Sequence, residues 1–571
     1  MKKLTKFLSM LMALIFTVSF GAACGPKGGR DDPNVNPDGT RKTRINVEIV
    51  DVGYGTTYLE NLEKQFEQNN VEKSYKEGEK GVNIVITPYK GYLSEDKFIA
   101  NDYDLFFGTG SGSLQKWAAN GSLLDITDIA TVPLSEYGET RSIVDKFYDG
   151  ADLLYKYNNK VYALPGFWTP YGITYNVDIW ERYKLYFNKD NEFITSLNDI
   201  ANKNLGTGPD GYEGTYDDGL PRTYEEFFKV CDKLVGESVV PFIWDGKDYV
   251  YYLEDFVESL HMNAETIDQF MLNYTFSGNA TSLVKTANAN GTVVLENSTP
   301  INNNNGYELY SQAGAFYATY FMSKMLGNNK YYDESIVFNN EFTNLMAQHE
   351  FLKTDAVNGA DEIAMLVEGG YWEQEAYENG LFNKVAVYGD EFKRENRRLA
   401  FMPMPMPTLE MVTSHKGHNL AGVGYVTVAA SANIEAYKIP VVKDFIKFCF
   451  TDAKLVETTE KTSMFYALEY EFDQDSYENL TPFGKSIADF MQAETTHMKM
   501  ATSDNALYME NSGSFDCHKR YASKLANGSS HGAMFSVFKT KSVSATDYFY
   551  GMENRIKETW ESTYSKYLTK D

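Results

Sequence analysis

The stretch INVEIVDVGYGTTYLENLEKQF, residues 45–66, decides the fold of this chain. Its first five residues alternate apolar and polar side chains, which predicts a β-strand with one buried face. Residues 51–55 then predict a loop, and apolar side chains recur at helical spacing from Leu59 to Phe66. A strand that passes through a loop into an amphipathic helix is typical of α/β proteins.

Two further strands continue this pattern. The apolar residues 82–86 predict one strand, and residues 103–107 predict another that runs into a glycine-rich loop at 108–112. This order favours an α/β fold with a mostly parallel sheet. The glycine-rich loop lacks the Lys-Ser/Thr ending of a phosphate-binding loop, so it implies no nucleotide. Ligands of such sheets bind beyond the carboxyl ends of the strands. The candidate contacts at these ends are Tyr54, Thr109 and Ser111.

The chain begins with segments that indicate export. Early lysines, an uncharged apolar run over 7–20 and small residues after it predict a signal peptide at residues 1–23. Cys24 follows directly and resembles the cysteine of a bacterial lipobox, which implies that it carries a lipid, although Gly21 stands where leucine is preferred. The polar residues 24–43 predict a flexible linker. One alternative is an ordinary signal peptide with an incidental cysteine. An uncleaved transmembrane anchor is a weaker alternative, because the apolar run is shorter than the ~20 residues that a spanning helix needs.

Charge excludes several kinds of partner. The 571 residues carry a formal net charge of −26, and about −29 once the three lysines of the leader are removed. This acidity excludes nucleic acid, which requires a basic surface. It also disfavours adhesion to anionic lipid, so a covalent lipid on Cys24 would have to hold the protein at the membrane. The 42 tyrosines offer flat apolar faces with polar tips, which suit amphipathic ligands.

Cysteine usage indicates that this fold is not built on disulfides. Cys231 and Cys449 lie on apolar helical faces and are predicted to be small core residues. With Cys517 they make three thiols besides Cys24, which cannot all pair with one another. The chain has no C-x-x-C spacing that would indicate zinc or redox chemistry.

Three polar motifs could carry metal or catalytic chemistry. His415 and His418 stand in a glycine-bearing loop with no third ligand nearby, and we predict that both are solvated. The acidic run 210–219 has enough oxygen atoms for calcium but lacks EF-hand spacing, which leaves calcium open there. Glu373 and Glu375 could serve a glycosidase, but such carboxylates normally project from different strands. We therefore predict no cofactor and no enzymatic activity, and no metal site other than the calcium question left open at residues 210–219.

Aromatic residues in polar loops are the remaining candidates. A tryptophan beside proline or paired glycines in a turn is more often presented at a surface than buried. Sugars bind well to aromatic faces that are surrounded by carboxylates and amides. We predict that Trp168 and Trp372 contact a ligand and leave Trp244 open between ligand and core. The predicted contacts in these loops are Trp168, Thr169, Tyr171, Trp244, Asp245, Tyr371 and Trp372.

Other segments have clear local patterns. Thr223 and Glu226 predict a capping box ahead of a helix that extends to about Leu234. The asparagine-rich residues 277–305 predict an excursion at the surface. A long closing helix is predicted from apolar residues that recur every four positions, namely Met552, Ile556, Trp560 and Tyr564.

Eight short motifs stand in order along the chain: VEIVDVGYG (47–55), YDLFFG (103–108), GSLLDI (121–126), YALP (162–165), GITYN (172–176), AMLVEGGYW (364–372), MPMP (402–405) and GVGYVTV (422–428). This order resembles the extracellular solute-binding proteins, family 1, of ABC importers, the group that contains maltose-binding protein. The resemblance implies a two-lobed, periplasmic-binding-protein-like α/β fold, in which each lobe is a mostly parallel sheet flanked by helices and a hinge joins the lobes. It also places Trp372 where the family has a ligand-stacking aromatic residue.

The resemblance divides the mature chain between the lobes. The first lobe would take residues 44–168 and 401–452, and the second 169–400 and 453–571, with helices at the C-terminus. Crossings are therefore expected near Trp168, near Met402 and after Phe450.

The same resemblance implies a function. The protein would capture an oligosaccharide in the cleft between the lobes and deliver it to an ABC permease. It would be a monomer, lipid-anchored at the extracellular face of the membrane, and the lipid points to a Gram-positive bacterium. The alternatives are an exported glycan-degrading enzyme and a peptide-binding protein of the same architecture.

Overall fold

The structure is a computed structural model that describes residues 32–108, 114–422, 426–515 and 533–569. Its strands are β1 (Arg41–Val50), β2 (Glu79–Tyr89), β3 (Leu105–Gly108), β4 (Lys156–Tyr157), β5 (Lys160–Val161), β6 (Ala163–Pro165), β7 (Tyr171–Asn176), β8 (Val240–Ile243), β9 (Gly278–Ala280), β10 (Val284–Ala287), β11 (Val293–Leu295), β12 (Thr299–Ile301), β13 (Ile363–Gly369), β14 (Leu399–Met402), β15 (His418–Gly422), β16 (Thr427–Ala430) and β17 (Thr496–Met500).

The helices lie between and around these strands. They are α1 (Thr57–Asn69), α2 (Glu95–Ile99), α3 (Leu114–Ala119), α4 (Thr127–Ala130), α5 (Ala151–Tyr155), α6 (Val177–Arg182), α7 (Asn198–Ala201), α8 (Tyr224–Gly236), α9 (Tyr249–Ala264), α10 (Ile267–Thr275), α11 (Ala313–Gly327), α12 (Glu334–Val337), α13 (Asn344–Lys353), α14 (Trp372–Glu378), α15 (Leu381–Ala386), α16 (Leu409–Ser414), α17 (Ile439–Cys449), α18 (Asp452–Thr462), α19 (Gln474–Glu478), α20 (Pro482–Gln492), α21 (Ala506–Phe515), α22 (Ala533–Lys539) and α23 (Ala545–Tyr564).

The first lobe is built on a five-stranded sheet in the order β2-β1-β3-β16-β6. The pairs of β1 with β2 and β3 are parallel, as the sequence predicts. Ile45, Val47 and Ile49 are completely buried, so the predicted apolar face of β1 is confirmed. The helix predicted after it is α1, whose side chains at Leu59 and Phe66 enter the same core.

The second lobe is built on a four-stranded sheet in the order β14-β7-β13-β8. Only the β13–β8 pair is parallel, because β7 runs antiparallel to both β13 and β14. In the first sheet β16 is likewise antiparallel to β3 and β6. The prediction of mostly parallel sheets is therefore corrected to mixed sheets. β7 and β16 each enter their lobe from the cleft, at the edge of the sheet where the parallel strands end. Each of them therefore runs antiparallel to its neighbours.

Strand pairing moves two of the predicted lobe boundaries. β14 pairs with β7 through Phe401 and Thr174, which places residues 401–402 in the second lobe, with 399–400, rather than in the first. Leu455 of α18 is buried in the first-lobe core, which places this helix in the first lobe rather than the second. Helix α20 then lies on β14, where Ser486 Oγ accepts a hydrogen bond from Phe401 N at 2.8 Å. The chain therefore returns to the first lobe between 422 and 427 and leaves it after about 468.

The first and last crossings run side by side and form the connection between the lobes. Trp168 N donates to Phe465 O at 2.9 Å, and Ala467 N donates to Gly166 O at 2.8 Å. Paired backbone of this kind allows two segments to bend together, which is what a hinge between lobes requires.

Three local predictions concern segments outside the two main sheets: the helix cap at Thr223, the excursion at 277–305 and the closing helix. Thr223 Oγ1 accepts from Glu226 N at 3.2 Å, which confirms the helix cap, but the Glu226 carboxylate reaches back to Arg222 N at 2.7 Å instead of to Thr223 N. Within residues 277–305, β9 and β12 form an antiparallel pair, and the hairpin β10–β11 lies between them in the sequence. Trp560 and Tyr564 of α23 are buried, while the side chains of the other two apolar positions lie outside the described ones.

The predicted flexible linker is partly ordered against the first sheet. β1 begins at Arg41, inside the segment predicted as linker. Asn36 Nδ2 donates to Lys80 O at 2.7 Å, and Asn83 Nδ2 donates to Asn34 Oδ1 at 2.9 Å. These side-chain amides form hydrogen bonds with the backbone and with a side chain of β2. The composition of the linker does not reveal these contacts. Residues 24–31 lie outside the described residues.

Cys231 and Cys449 are buried free thiols, as predicted, and Cys517 lies outside the described part of the chain. Within that part, no helix combines the length and apolar character needed to cross a membrane.

Candidate functional site

Two loops face each other where the sheets of the two lobes end. One follows β1 and carries residues 51–56, and the other follows β13 and leads into α14. Gln374 Nε2 of α14 donates to Tyr54 O at 3.3 Å, and Asn379 Nδ2 donates to Gly53 O at 3.1 Å. The carboxyl ends of strands in open α/β sheets are the usual place for ligands. The cleft between the lobes is therefore the candidate ligand-binding site.

Two glycines allow the lobes to approach this closely. Gly53 has φ of +122° and Gly55 has φ of +74°, conformations that favour glycine. A Cβ on Gly53 would fall deep inside van der Waals contact with the Glu375 carboxylate. A Cβ on Gly55 would lie 2.7 Å from the Glu378 carboxyl carbon. The sequence marks both glycines as loop residues but not as the point of contact.

Replacing Gly53 by alanine is expected to open this contact. The added methyl group must displace Glu375, which would separate Gly53 O and Tyr54 O from their amide donors Asn379 and Gln374. Small-angle scattering should show a larger radius of gyration, and hydrogen exchange should be faster at residues 51–56. Gly121→Ala is the matched control, because Gly121 also has positive φ but has open space around its Cβ position. Equal behaviour of the two variants would contradict the prediction.

Glu375 is the best-positioned polar residue of the cleft. Its Oε2 accepts from Asn344 Nδ2 at 2.8 Å and from Gln348 Nε2 at 2.6 Å, and the side chain is 4% exposed. Burial, with the charges of Asp245 and Asp51, raises the pKa of Glu375 to about 7 in spite of these two bonds. At neutral pH its carboxyl group therefore exists in both forms and can donate or accept a hydrogen bond.

Further polar groups lie deeper, at the ends of β13, β8 and β7. Burial and the charge of Glu375 raise the pKa of Glu368 well above its usual value, although the Tyr371 hydroxyl offsets part of this shift. Burial also raises the pKa of Asp245, whose Oδ1 accepts from Lys247 N at 2.7 Å. The Tyr171 hydroxyl is buried and has no hydrogen-bond partner among the described residues. Carboxyl and hydroxyl groups in this state match the mixed donor and acceptor character of sugar hydroxyls.

The predicted role of Trp372 as a ligand-stacking residue is wrong in this structure. Its side chain is completely buried, and its ring packs between Phe351, Phe382 and Phe483 of the second lobe. Its Nε1 donates to Thr174 Oγ1 at 2.9 Å, so its polar atom is satisfied internally. Trp372 is the first residue of α14, and its indole ring points into the core of the second lobe rather than into the cleft.

Trp168 and Trp244 are core residues as well. Trp168 is 4% exposed, and its ring lies edge-on to Tyr148 at 5.7 Å. Trp244 is fully buried against Tyr332 and Phe338. The neighbouring proline or turn residues predicted surface presentation, but the apolar area that a buried indole removes from water outweighs that local preference.

Of the other predicted ligand contacts, some lie at the cleft and some lie outside the residues that the structure describes. Tyr54 lies in the cleft loop, but its ring packs into the first-lobe core near Phe167. Thr169 and Tyr371 are half-buried beside Gly370 and Gly369 at the mouth of the cleft. Thr109, Ser111 and the lipidation candidate Cys24 lie outside the described residues.

Sequence reasoning missed the amides that hold the cleft carboxylates. Asn344 and Gln348 of α13 bind Glu375, and Gln374 bridges to the other lobe. Asn344 and Gln348 are four residues apart along α13, so both lie on one face of the helix. This spacing was the signal in the sequence by which the pair could have been found. Glu373, by contrast, forms a buried ion pair with Arg394 at 3.0 Å and so is not paired with Glu375.

The prediction of solvated histidines is wrong for His418. It is 1% exposed at the start of β15, and its Nε2 lies 3.0 Å from Asp217 Oδ2 of the acidic run. His415 is half-buried, and burial lowers its pKa. Pairing of β15 with β17 draws His418 inward, a contact between distant segments that no local pattern shows.

A separate cavity of about 1,230 Å³ lies in the second lobe, away from the facing loops. It is bounded by α8, α11, α16 and the β10–β11 hairpin. The hydroxyl of Tyr224, which lines it, is buried without a hydrogen-bond partner in the described part of the chain. This cavity is the rival location for a ligand.

Comparison with solved structures identifies the fold. The chain is similar to a chitin oligosaccharide binding protein (TM-score 0.53, 13% identity, 91% of this chain and 99% of the other). It is also similar to the binding protein RafE in complex with raffinose (TM-score 0.51, 13% identity, 90% and 100%). A third is the BlMnBP1 binding protein of an ABC transporter from Bifidobacterium animalis subsp. lactis ATCC27673 in complex with mannobiose (TM-score 0.51, 12% identity, 91% and 95%).

These similarities confirm the predicted two-lobed, periplasmic-binding-protein-like fold. No protein-family model matches the sequence, and no curated protein matches it. At 12–13% identity the shared property is the fold, and the ligand of this chain must be argued from its own cleft.

Proposed function

We propose that this protein is the extracellular substrate-binding component of an ABC importer. It captures an oligosaccharide in the cleft between its lobes, closes on it by bending at the paired crossing segments, and is recognised in that form by a membrane permease. The observation that carries the proposal is the group of buried carboxyl, amide and tyrosyl side chains where both sheets end. The saccharide-binding proteins that share the fold support it.

The chemistry of the cleft favours a polar, uncharged ligand. Carboxyl groups with raised pKa and side-chain amides can each donate and accept hydrogen bonds, as a saccharide requires. The acidic surroundings of Glu368 and Glu375 disfavour ligands that bring further negative charge. No covalent step is needed, since binding and lobe closure account for capture and delivery.

A pair of matched variants tests both the ligand class and its location. Tyr171→Phe removes the unpartnered hydroxyl in the cleft, and Tyr224→Phe removes the one in the second-lobe cavity. A thermal-shift panel of oligosaccharides first finds a ligand, and calorimetry then measures its affinity for both variants. We expect Tyr171→Phe to weaken binding about three- to tenfold, the worth of one hydrogen bond, and Tyr224→Phe to leave it unchanged.

The outcomes of this test separate the alternatives. The reverse pattern would move the site to the cavity, and a panel without any response would reject a saccharide ligand. A peptide that raises the melting temperature where sugars do not would favour a peptide-binding protein. Degradation products seen by chromatography after incubation with an oligosaccharide would instead indicate a glycan-degrading enzyme.

The proposal includes the position of the protein in the cell. A lipid on Cys24 would hold a monomeric receptor at the outer face of the membrane of a Gram-positive bacterium, close to its permease. Cys24→Ala is expected to shift the protein from the membrane fraction to the culture medium. Retention of this variant in the membrane fraction would contradict lipid anchoring through Cys24.

A further inference from the structure

A buried cluster of two carboxylates and an imidazole lies in the second lobe, outside the cleft. Asp210 and Asp217 belong to the acidic run, and His418 is the first residue of β15. Each of the three side chains is at most 1% exposed. One potential ligand atom from each lies within 4.8 Å of the others. The fold therefore brings together three metal-ligating residue types from segments about 200 positions apart.

The hydrogen bonds of the loop account for only part of this cluster. Asp217 Oδ2 accepts from Asp210 N and contacts His418 Nε2, each at 3.0 Å. Asp210 Oδ1 accepts from Tyr212 N at 2.8 Å. Asp210 Oδ2, however, is buried and has no hydrogen-bond partner among the described residues. A buried carboxylate oxygen without a partner is unfavourable, so a cation bound at Asp210 Oδ2 would stabilise the cluster.

The charges of the cluster are also unbalanced. In the described part of the chain, no lysine or arginine forms an ion pair with Asp210 or Asp217, and His418 is the only basic partner of Asp217. A divalent cation at the cluster would compensate both buried carboxylates.

We propose that Asp210, Asp217 and His418 bind a divalent transition-metal ion of the Zn²⁺ type. Two carboxylate oxygens and one imidazole nitrogen are a common ligand set for such ions. Thr215 Oγ1, at 2.9 Å from Asp217 Oδ1, is a further oxygen beside the cluster that could complete this ligand set. Calcium prefers six to eight oxygen ligands and no nitrogen, which this set does not supply. The bound ion would tie the acidic loop to β15 and act as a structural site.

Metal titration of the purified protein tests this proposal. The protein is stripped with a chelator, and ZnCl₂, MnCl₂ or CaCl₂ is added in calorimetry and in thermal unfolding. We expect one Zn²⁺ per chain and a rise in melting temperature on binding. Asp217→Asn and His418→Gln are each expected to weaken Zn²⁺ binding at least about tenfold, since even residues that only orient a metal ligand have effects of that size.

Matched variants distinguish the cluster from adventitious sites. His497→Gln removes an exposed histidine of β17 and should leave Zn²⁺ affinity unchanged. Asp210→Asn provides a third variant of the cluster if one of the other two fails to fold. The proposal is overturned if neither Zn²⁺ nor Mn²⁺ binds, if only Ca²⁺ binds, or if the cluster variants bind Zn²⁺ as the unmodified protein does.

Discussion

Trp372→Ala is expected to lower the free energy of unfolding by about 3–5 kcal/mol, the usual cost of removing a fully buried aromatic side chain. The cavity would open between Phe351, Phe382 and Phe483, none of which can move without disturbing its own helix. The indole hydrogen bond to Thr174 would be lost as well. Urea unfolding of the variant and of the unmodified protein, under identical conditions, measures the effect.

The same variant distinguishes a core residue from a ligand contact. At a temperature where Trp372→Ala remains folded, its affinity for the saccharide found in the panel should equal that of the unmodified protein. Thr174→Val separates the hydrogen bond from the packing and should cost only about 1 kcal/mol. A variant with normal stability and much weaker ligand binding would restore Trp372 to the binding site.

Glu375→Gln is expected to change how stability depends on pH. The folded protein holds the pKa of Glu375 near 7, whereas the unfolded chain has the ordinary value of about 4.5. Between these values the folded state binds the extra proton, so stability falls as pH rises from about 4.5 to about 7. Glutamine cannot ionise, and the variant should escape this loss, gaining up to about 3 kcal/mol relative to the unmodified protein over that range.

Melting temperatures at pH 5, 6, 7 and 8 provide the measurement for this variant. The difference between variant and unmodified protein should grow up to about pH 7 and then level off. Glu225→Gln on the exposed side of α8 is the control and should follow the unmodified protein at every pH. Parallel curves for Glu375→Gln would mean that its carboxyl group titrates normally.

The fold was largely predictable because its signals are local. The alternation from Ile45 to Ile49 and the helical spacing that follows require only neighbouring residues to be read correctly. The lobe boundaries were less predictable. Whether 399–402 belongs to one sheet or the other depends on its pairing with β7, more than two hundred residues earlier, and not on its own composition.

The candidate site shows a sharper division. The sequence marked the loop at Tyr54 and the segment around Glu368 and Tyr371, because glycines and polar residues follow apolar strands there. It could not tell an indole in a loop from an indole in the core, as Trp168, Trp244 and Trp372 demonstrate. Proline and glycine indicate the backbone conformation next to a tryptophan. Burial of the tryptophan ring depends instead on residues contributed by other helices and strands.

The sequence by itself determined that this chain is an α/β protein, and its resemblance to a known family predicted the two lobes. The tertiary structure alone decided which side chains share a site: Glu375 with Asn344 and Gln348, Gly53 with α14, and His418 with the acidic run. The physical reason is the separation along the chain of the residues that interact. Strand and helix patterns arise from interactions within a few residues, but hydrogen bonds, buried charge and close packing join groups that only the folded chain brings together.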